Sequence, residues 1–166
     1  MRRLLSLCLA ALLLAGCSAK VSDTHTVTFY YPKKDYISAG LTEGVMGSEE
    51  RDAADEELEY LLRLYLLGPL EEHLQSLYPK GTELTGLTES GGTLTVSLSG
   101  TVNRMNDAAF TLAGACLAST CFPLKDYSAI TVRSGDREIT FQRDSLIFQD
   151  DTATLDNNTT KKEDTP

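Results

Sequence analysis

The sequence has few basic side chains and few of the residues that most often bind metals. It carries 15 Lys and Arg against 24 Asp and Glu, a formal net charge of −9 at pH 7. An acidic surface repels phosphate backbones and anionic lipid headgroups, so nucleic-acid binding is disfavoured. The two histidines, His25 and His73, are far apart, and no metal-ligand spacing joins them to a cysteine. We therefore expect neither a metal site nor a cofactor.

Long hydrophobic runs are also missing. The longest apolar stretch covers residues 4–14 and follows Arg2 and Arg3. Its length of about eleven residues is well below the roughly twenty that a membrane-spanning helix needs. A short positive segment followed by an apolar core of this length is typical of a secretory signal peptide.

The apolar stretch ends in Leu14, Ala15, Gly16 and Cys17, which resembles the lipobox read by the lipoprotein signal peptidase. The small residues before the cysteine let the protease reach the backbone, and the cysteine thiol takes a diacylglycerol. We therefore interpret residues 1–16 as the signal peptide and Cys17 as the lipid-modified N-terminus. Two acyl chains anchor a protein stably where one does not. The alternative is an ordinary secretory signal in which the cysteine stands by chance.

Two cysteines, Cys116 and Cys121, remain once Cys8 leaves with the signal peptide and Cys17 is acylated. On one continuous helix, residues five apart have Cα atoms separated by roughly 8 Å. This exceeds the limit of about 7 Å for a disulfide. We expect two buried thiols, and a disulfide only if the helix ends before Cys121.

Beyond the signal peptide, the pattern of apolar residues divides the chain into three parts. Residues 17–25 are short and polar and form a tether, residues 26–149 form one domain, and residues 150–166 form a disordered acidic and polar tail. The elements predicted within the domain are a strand at 26–31, helices at 54–66, 70–77 and 107–120, and strands at 82–88, 93–99, 127–133 and 137–143. We predict the α+β class: a two-layer sandwich, mostly antiparallel sheet with two main helices on one face.

Between the first strand and the first helix the sequence is polar and rich in glycine. We interpret residues 33–48 as a loop, and the carboxylates between Glu43 and Glu59 as the solvated start of a helix, where the macrodipole favours negative charge. A calcium site is the weaker alternative, because the glycine-interrupted alternation of a calcium loop is missing. No serine stands in the elbow motif of a hydrolase, and no glycine-rich phosphate loop follows a strand. We expect no catalytic residue and no enzyme.

The order of motifs resembles the GerMN domain of the sporulation and spore germination family. A helix runs into Leu66-Leu67-Gly68-Pro69, a turn follows at Pro79-Lys80-Gly81-Thr82, and an alternating strand ends at Ser99. The family's second helix and closing strand match residues 108–122 and 130–132, so the resemblance covers about residues 27–141. It implies a non-enzymatic extracytoplasmic module of Gram-positive, spore-forming lineages.

These observations lead to two hypotheses about function. The first is an interaction or scaffold domain, tethered to the cell membrane by the lipid on Cys17, that contacts a protein partner or cell-wall polymer through its sheet face or edge strands. The alternative is a lipoprotein that binds a small ligand or cell-wall fragment. Such sites usually need about 300 Å³ or more, for which a two-layer domain of this size leaves little room. The oligomeric state and the identity of the partner stay open.

Overall fold

The computed structural model describes residues 25–36, 44–53 and 57–146. The lipobox, Cys17, tether residues 17–24 and the tail at 150–166 lie outside the described residues. The elements are β1 (His25–Pro32), β2 (Met46–Ala53), α1 (Leu58–Leu66), β3 (Leu84–Ser90), β4 (Thr93–Leu98), α2 (Asp107–Cys121), β5 (Ala129–Ser134) and β6 (Arg137–Gln142), with short 3₁₀ helices at Gly100–Arg104 and Arg143–Ser145. Within these ranges, no helix has the length and apolar character needed to cross a membrane.

The strands form two sheets. Strands β1 and β2 pair as an antiparallel ribbon, and the other four form a sheet in the order β3-β4-β5-β6. The pairs β3–β4 and β5–β6 are antiparallel, whereas β4–β5 is parallel. A parallel pair requires a crossover, and α2 supplies it between β4 and β5. The predicted α+β class, mostly antiparallel with two main helices, is confirmed.

The four-stranded sheet has one apolar face and one polar face. Ile130 of β5 pairs with Leu94 on one side and with Phe141 on the other, and these three side chains share the face that packs into the core. On the opposite face Thr131 and Thr140 are joined hydroxyl to hydroxyl at 2.8 Å. The predicted hairpin between β3 and β4 is confirmed, with its turn at Gly91 and Gly92. Both glycines have positive φ, as the tight turns of hairpins require.

Helix α2 begins at the predicted place, because the Asn106 side chain accepts a hydrogen bond from the Ala109 amide at 2.8 Å. Helical periodicity in the sequence predicts one buried face, formed by Ala109, Leu112, Ala113, Cys116 and Leu117. The structure buries more of the helix than that, because β1 lies along one side of it and β5 and β6 pack against another. On the β1 side, Thr120 accepts a hydrogen bond from the Tyr30 amide at 3.0 Å.

Strand β2 corrects two predictions. Residues 33–48 were predicted as a loop and the acidic residues after them as a helix start, yet Met46–Ala53 is a strand paired with all of β1. Its side chains alternate: Glu49, Arg51 and Ala53 are buried, while those between them are exposed. The acidic residues of β2 are therefore not a solvated helix start. Two of the buried positions hold an oppositely charged pair instead of apolar side chains. The sequence therefore shows no hydrophobic alternation that would predict a strand.

Three smaller predictions also change. Helix α1 begins at Leu58, four residues after the predicted start, and residues 54–56 lie outside the described ranges. The predicted helix at 70–77 is wrong: these residues form turns, in which Leu74 makes an isolated bridge to Lys33. His25, assigned to the tether, begins β1.

Candidate functional site

The polar centre of the domain is an ion pair within β2. Arg51 donates from Nε to Glu49 Oε1 at 2.7 Å, and its Nη2 contacts the same oxygen. Both side chains are at most 7% exposed. Because β1 and β2 pair antiparallel, Glu49 lies opposite Phe29, and the Arg51 guanidinium stands 5.0 Å from the centre of that ring. Such stacking favours a desolvated guanidinium. We call Glu49 and Arg51 the clamp.

Arg51 binds the end of α1. Its Nη1 donates to the Leu64 carbonyl at 3.4 Å and its Nη2 to the Gly68 carbonyl at 2.6 Å. Carbonyl groups at the end of a helix have no partner inside the helix, and the macrodipole there favours a cation. Gly68 follows the helix with a φ of +95°, a conformation that side chains rarely adopt. The arginine therefore fixes where α1 stops.

Glu49 holds the segment that follows. Its Oε2 accepts hydrogen bonds from the Leu70 and Glu71 amides at 2.8 and 2.9 Å. With Arg51 on the other oxygen, the buried carboxylate has an ionic partner and two backbone donors. A buried charge supplied with partners of this kind avoids most of its desolvation penalty. The clamp thus fixes the turn from Gly68 to Glu71 on both sides of Pro69.

Two tyrosines connect the ribbon to α1 beside the clamp. The Tyr31 and Tyr65 rings are stacked with centres 4.6 Å apart, Tyr31 donates to the Tyr65 carbonyl at 2.8 Å, and Tyr65 donates to the Tyr30 carbonyl at 3.1 Å. Burial raises the pKa of both hydroxyls above their ordinary value. They therefore stay protonated, and keep donating, at pH values at which an ordinary tyrosine ionises.

An exposed apolar strip lies next to the clamped turn. Tyr60, Leu67 and Leu70 are 43%, 82% and 77% exposed, and they are the exposed large hydrophobic residues of the described ranges. Tyr60 and Leu67 are seven residues apart, so they lie on the same face of α1. We call these three residues the apolar ridge. An open groove of about 700 Å³ runs beside it, between Leu67 and the stretch from Tyr78 to Leu84.

A second groove, of about 410 Å³, lies at the start of β1. Its apolar wall includes Leu58, Leu61 and Leu124, and its polar wall is Glu89, Lys125 and Tyr127. Lys125 pairs with Glu89 Oε2, and the Tyr127 hydroxyl donates to Oε1 at 2.7 Å. These hydrogen bonds hold the pKa of Glu89 below its ordinary value. Burial, together with the bond to Glu89, raises the pKa of Tyr127. Both grooves are larger than the sequence led us to expect.

Cys116 and Cys121 are free thiols, both fully buried in α2. The helix continues through Cys121, so the geometry that would allow a disulfide is absent at this position. Burial raises the pKa of each thiol from 9.0 to about 12. A thiol that stays protonated is a poor nucleophile and a poor metal ligand. In this state the two side chains pack as small apolar groups.

The remaining polar candidates have structural contacts. Ser97 Oγ accepts from Arg133 Nε at 2.9 Å, and Ser99 Oγ accepts from the Glu83 amide at 3.0 Å. His73 is exposed in a turn rather than on a helix, 3.9 Å from a carboxylate oxygen of Glu71. Across the ranges that the structure covers, no group of three His, Cys, Asp or Glu side chains could hold a metal ion.

Neither the clamp nor the ridge was predicted from the sequence. A usable signal was the alternation from Ser48 to Ala53, where every second residue is Glu49, Arg51 or Ala53. Two opposite charges two residues apart on one face of a strand can pair and be buried together. Leu67 and Leu70 carried no such signal, because they flank a Gly-Pro pair and resemble the apolar positions of a helix.

Fold and site together define a small α+β domain in which a buried ion pair fixes an exposed apolar turn. The chain belongs to the sporulation and spore germination family (Germane), whose family model matches residues 28–130. This confirms the resemblance found in the sequence. No curated protein matches the chain in sequence.

The solved structures that match this chain include the following two. The tandem GerMN domains of the sporulation protein GerM from Bacillus subtilis align with a TM-score of 0.51 and 14% identity, over 74% of this chain. The chain spans only 43% of that structure. A candidate lipoprotein from Clostridium perfringens aligns with a TM-score of 0.45 and 15% identity, over 72% of this chain and 87% of the other.

Proposed function

We propose that the protein is a lipid-anchored extracytoplasmic component of a Gram-positive cell envelope. Its GerMN-like domain would act as a non-catalytic scaffold that binds a protein partner or cell-wall polymer during sporulation, germination or envelope assembly. The observation that carries the proposal is the order along the chain: a lipobox ending at Cys17, a short polar tether at 17–24, and then a domain of the sporulation and spore germination family.

The geometry of the domain supports a role in binding rather than catalysis. Its buried charges, Glu49 and Arg51, hold backbone groups of a turn, and its buried thiols keep their protons. These side chains have structural roles. The lipid supplies the membrane attachment that the acidic surface cannot, because a chain with a net charge of −9 before processing is repelled by anionic headgroups.

Fatty-acid labelling of the full chain in a Gram-positive host tests the anchor. We expect Cys17→Ser to abolish incorporation of an alkyne-labelled palmitate and to leave the precursor uncleaved, because diacylglycerol transfer to the thiol precedes cleavage. Cys8→Ser is the matched control: this cysteine lies inside residues 1–16 and should be dispensable for labelling. Equal labelling of the Cys17→Ser chain would refute the lipid anchor.

Crosslinking on intact membranes tests the scaffold. The wild-type chain should recover a specific partner. A form that starts at Ser18 and is secreted from a signal peptide without a lipobox should lose the partner along with its place on the membrane. Recovery of no specific protein or polymer would count against the scaffold, even if the anchor is demonstrated.

A ligand-binding role is the second candidate, favoured by the groove of about 410 Å³ with Glu89 and Lys125 on its wall. A groove of this size with a few convergent polar groups can hold a small ligand. Thermal-shift measurements against muropeptide fragments separate the two functions. A shift of several degrees that Glu89→Gln removes would favour ligand binding, whereas no shift with any fragment leaves the scaffold as the better account.

A further inference from the structure

We propose that the apolar ridge is the docking site of this domain, and that its partner is a protein segment with apolar anchor residues flanked by Lys or Arg. The inference rests on the proposed scaffold function and names the surface and the chemistry by which it would act. It draws on the exposure of Leu67 and Leu70, the rigidity of the turn that carries them, and the charge around them.

The exposure of the ridge is unusual because it is concentrated. Leu67 and Leu70 are 82% and 77% exposed and only three residues apart, so their Cα atoms are within about 11 Å of each other. Tyr60 lies two helical turns before Leu67 on the same face, about 10 Å along the axis. Single exposed leucines are common, but large apolar side chains grouped on one surface mark an interaction site. Leu67 also lines the groove of about 700 Å³, which can receive a partner's side chain.

The turn that presents the leucines is held rigidly. The Leu67 amide donates to the Leu64 carbonyl at 3.2 Å and the Gly68 amide to the Tyr65 carbonyl at 3.0 Å. Arg51 binds the Gly68 carbonyl, and Glu49 accepts from the Leu70 amide on the far side of the proline. A turn fixed in this way loses little conformational entropy when a partner binds, and such preorganisation strengthens binding. The clamp therefore has a role beyond stability, as the positioning element of the ridge.

The charges beside the ridge indicate what covers it. Glu71 and Glu72 follow Leu70 directly and are exposed. In the groove beside the ridge, the charge of Lys80 is balanced by Glu83, and Arg63 is paired with Glu59. The end of the ridge is thus locally acidic. An anionic bilayer would be repelled there. Two copies of this chain would also repel each other, because each has a net charge of −9 before processing. A segment with basic residues flanking its apolar anchors complements both features.

Site-specific photocrosslinking of the full, lipid-anchored chain in its host membrane tests the proposal. A benzoylphenylalanine replaces Leu67 or Leu70 in two chains, and Thr140 or Gln142 in two control chains. The control positions are exposed on β6, at the edge of the four-stranded sheet. Because all four side chains are exposed, the substitutions should shift the unfolding midpoint little; the one at Thr140 also removes the hydrogen bond to Thr131, so Gln142 is the stricter control. Adducts are mapped to the residue by mass spectrometry.

We expect Leu67 and Leu70 to give the same protein adduct, in a segment with apolar residues next to Lys or Arg, and the controls to give none. A synthetic peptide of that segment should bind about tenfold more weakly to Leu67→Ala, as expected for loss of an anchor residue worth about 1.4 kcal/mol. Glu71→Gln with Glu72→Gln should weaken it by several fold and reduce its dependence on salt.

Other outcomes overturn the proposal. A phospholipid adduct would make the ridge a membrane contact, and an adduct to a second copy would make it a self-association surface. A protein adduct without basic residues would refute the proposed chemistry. Adducts at Thr140 or Gln142 alone would place docking at the β6 edge and leave the scaffold function intact. Adducts at none of the four positions would count against the ridge and the scaffold function together.

Discussion

The four-stranded sheet and the β1–β2 ribbon contact the same helices through different kinds of side chain. The sheet presents aliphatic residues such as Leu94, Ile130 and Val132, all fully buried, to the helical layer. The ribbon presents two aromatic residues on β1 and an ion pair on β2. Aliphatic packing is non-directional, whereas the ion pair binds particular backbone atoms. The sheet thus provides bulk stability, and the ribbon fixes the position of one turn.

The largest loss in the free energy of unfolding should follow the removal of one partner of the clamp. Replacing Arg51 by Leu leaves the Glu49 carboxylate buried without its counter-charge and removes the side-chain hydrogen bonds to the Leu64 and Gly68 carbonyls. We expect a loss of about 4 kcal/mol in the free energy of unfolding, as for other buried pairs broken from one side. Urea unfolding of a soluble form starting at Ser18 measures it.

Arg63→Leu is the matched control for that substitution. Arg63 forms an exposed pair with Glu59, with side chains 56% and 58% exposed, so its loss should cost less than about 0.5 kcal/mol. Equal effects of the two substitutions would mean that the clamp contributes no more than a surface pair. The distinction between ribbon and sheet would then fail.

A deletion in the sheet provides the second comparison. Ile130→Ala removes a fully buried side chain from the central strand β5, which pairs on both edges. The lost transfer energy and the cavity should together cost about 3 kcal/mol. Glu138→Ala, at an exposed position on β6, should change the free energy of unfolding by no more than about 0.5 kcal/mol.

In contrast to Arg51→Leu, the Ile130→Ala substitution should leave the ridge in place. Peptide binding that follows overall stability in both variants would contradict this separation.

The same contrast explains which elements the sequence could predict. Leu94, Val96 and Leu98 alternate with polar residues, and each is buried as that pattern requires. Strand β2 was missed because Glu49 and Arg51 resemble solvent-facing residues until their partners are known. The helix predicted at 70–77 failed for the opposite reason: its leucines are spaced as in a helix, yet Leu74 bridges to Lys33, the residue that follows β1. Tertiary contacts decided both cases.

Helix α2 lies against both the sheet and the ribbon. Alkylation of its two thiols tests a smaller effect, the exposure of this helix in the folded protein. With pKa values raised to about 12, Cys116 and Cys121 should resist iodoacetamide at pH 8 in the folded protein and react fully in urea. Reduction before alkylation should leave the mass of the unfolded protein unchanged, whereas a difference of two alkyl groups would reveal a disulfide. Burial of neutral thiols favours the folded state below the ordinary pKa of 9.0, and stability should fall as the pH rises from there toward about 12.

The labelling rate then distinguishes local opening of the ribbon from global unfolding. If β1 separates from α2 on its own, Arg51→Leu should accelerate labelling more than its loss of global stability predicts, because α2 packs along β1 and Cys116 lies one turn before Thr120, which binds the Tyr30 amide. Ile130→Ala should accelerate labelling only in proportion to its effect on unfolding. Proportional acceleration in both variants would mean that ribbon and sheet unfold as one unit. The ribbon's separate role would then be limited to holding the turn between Gly68 and Glu71.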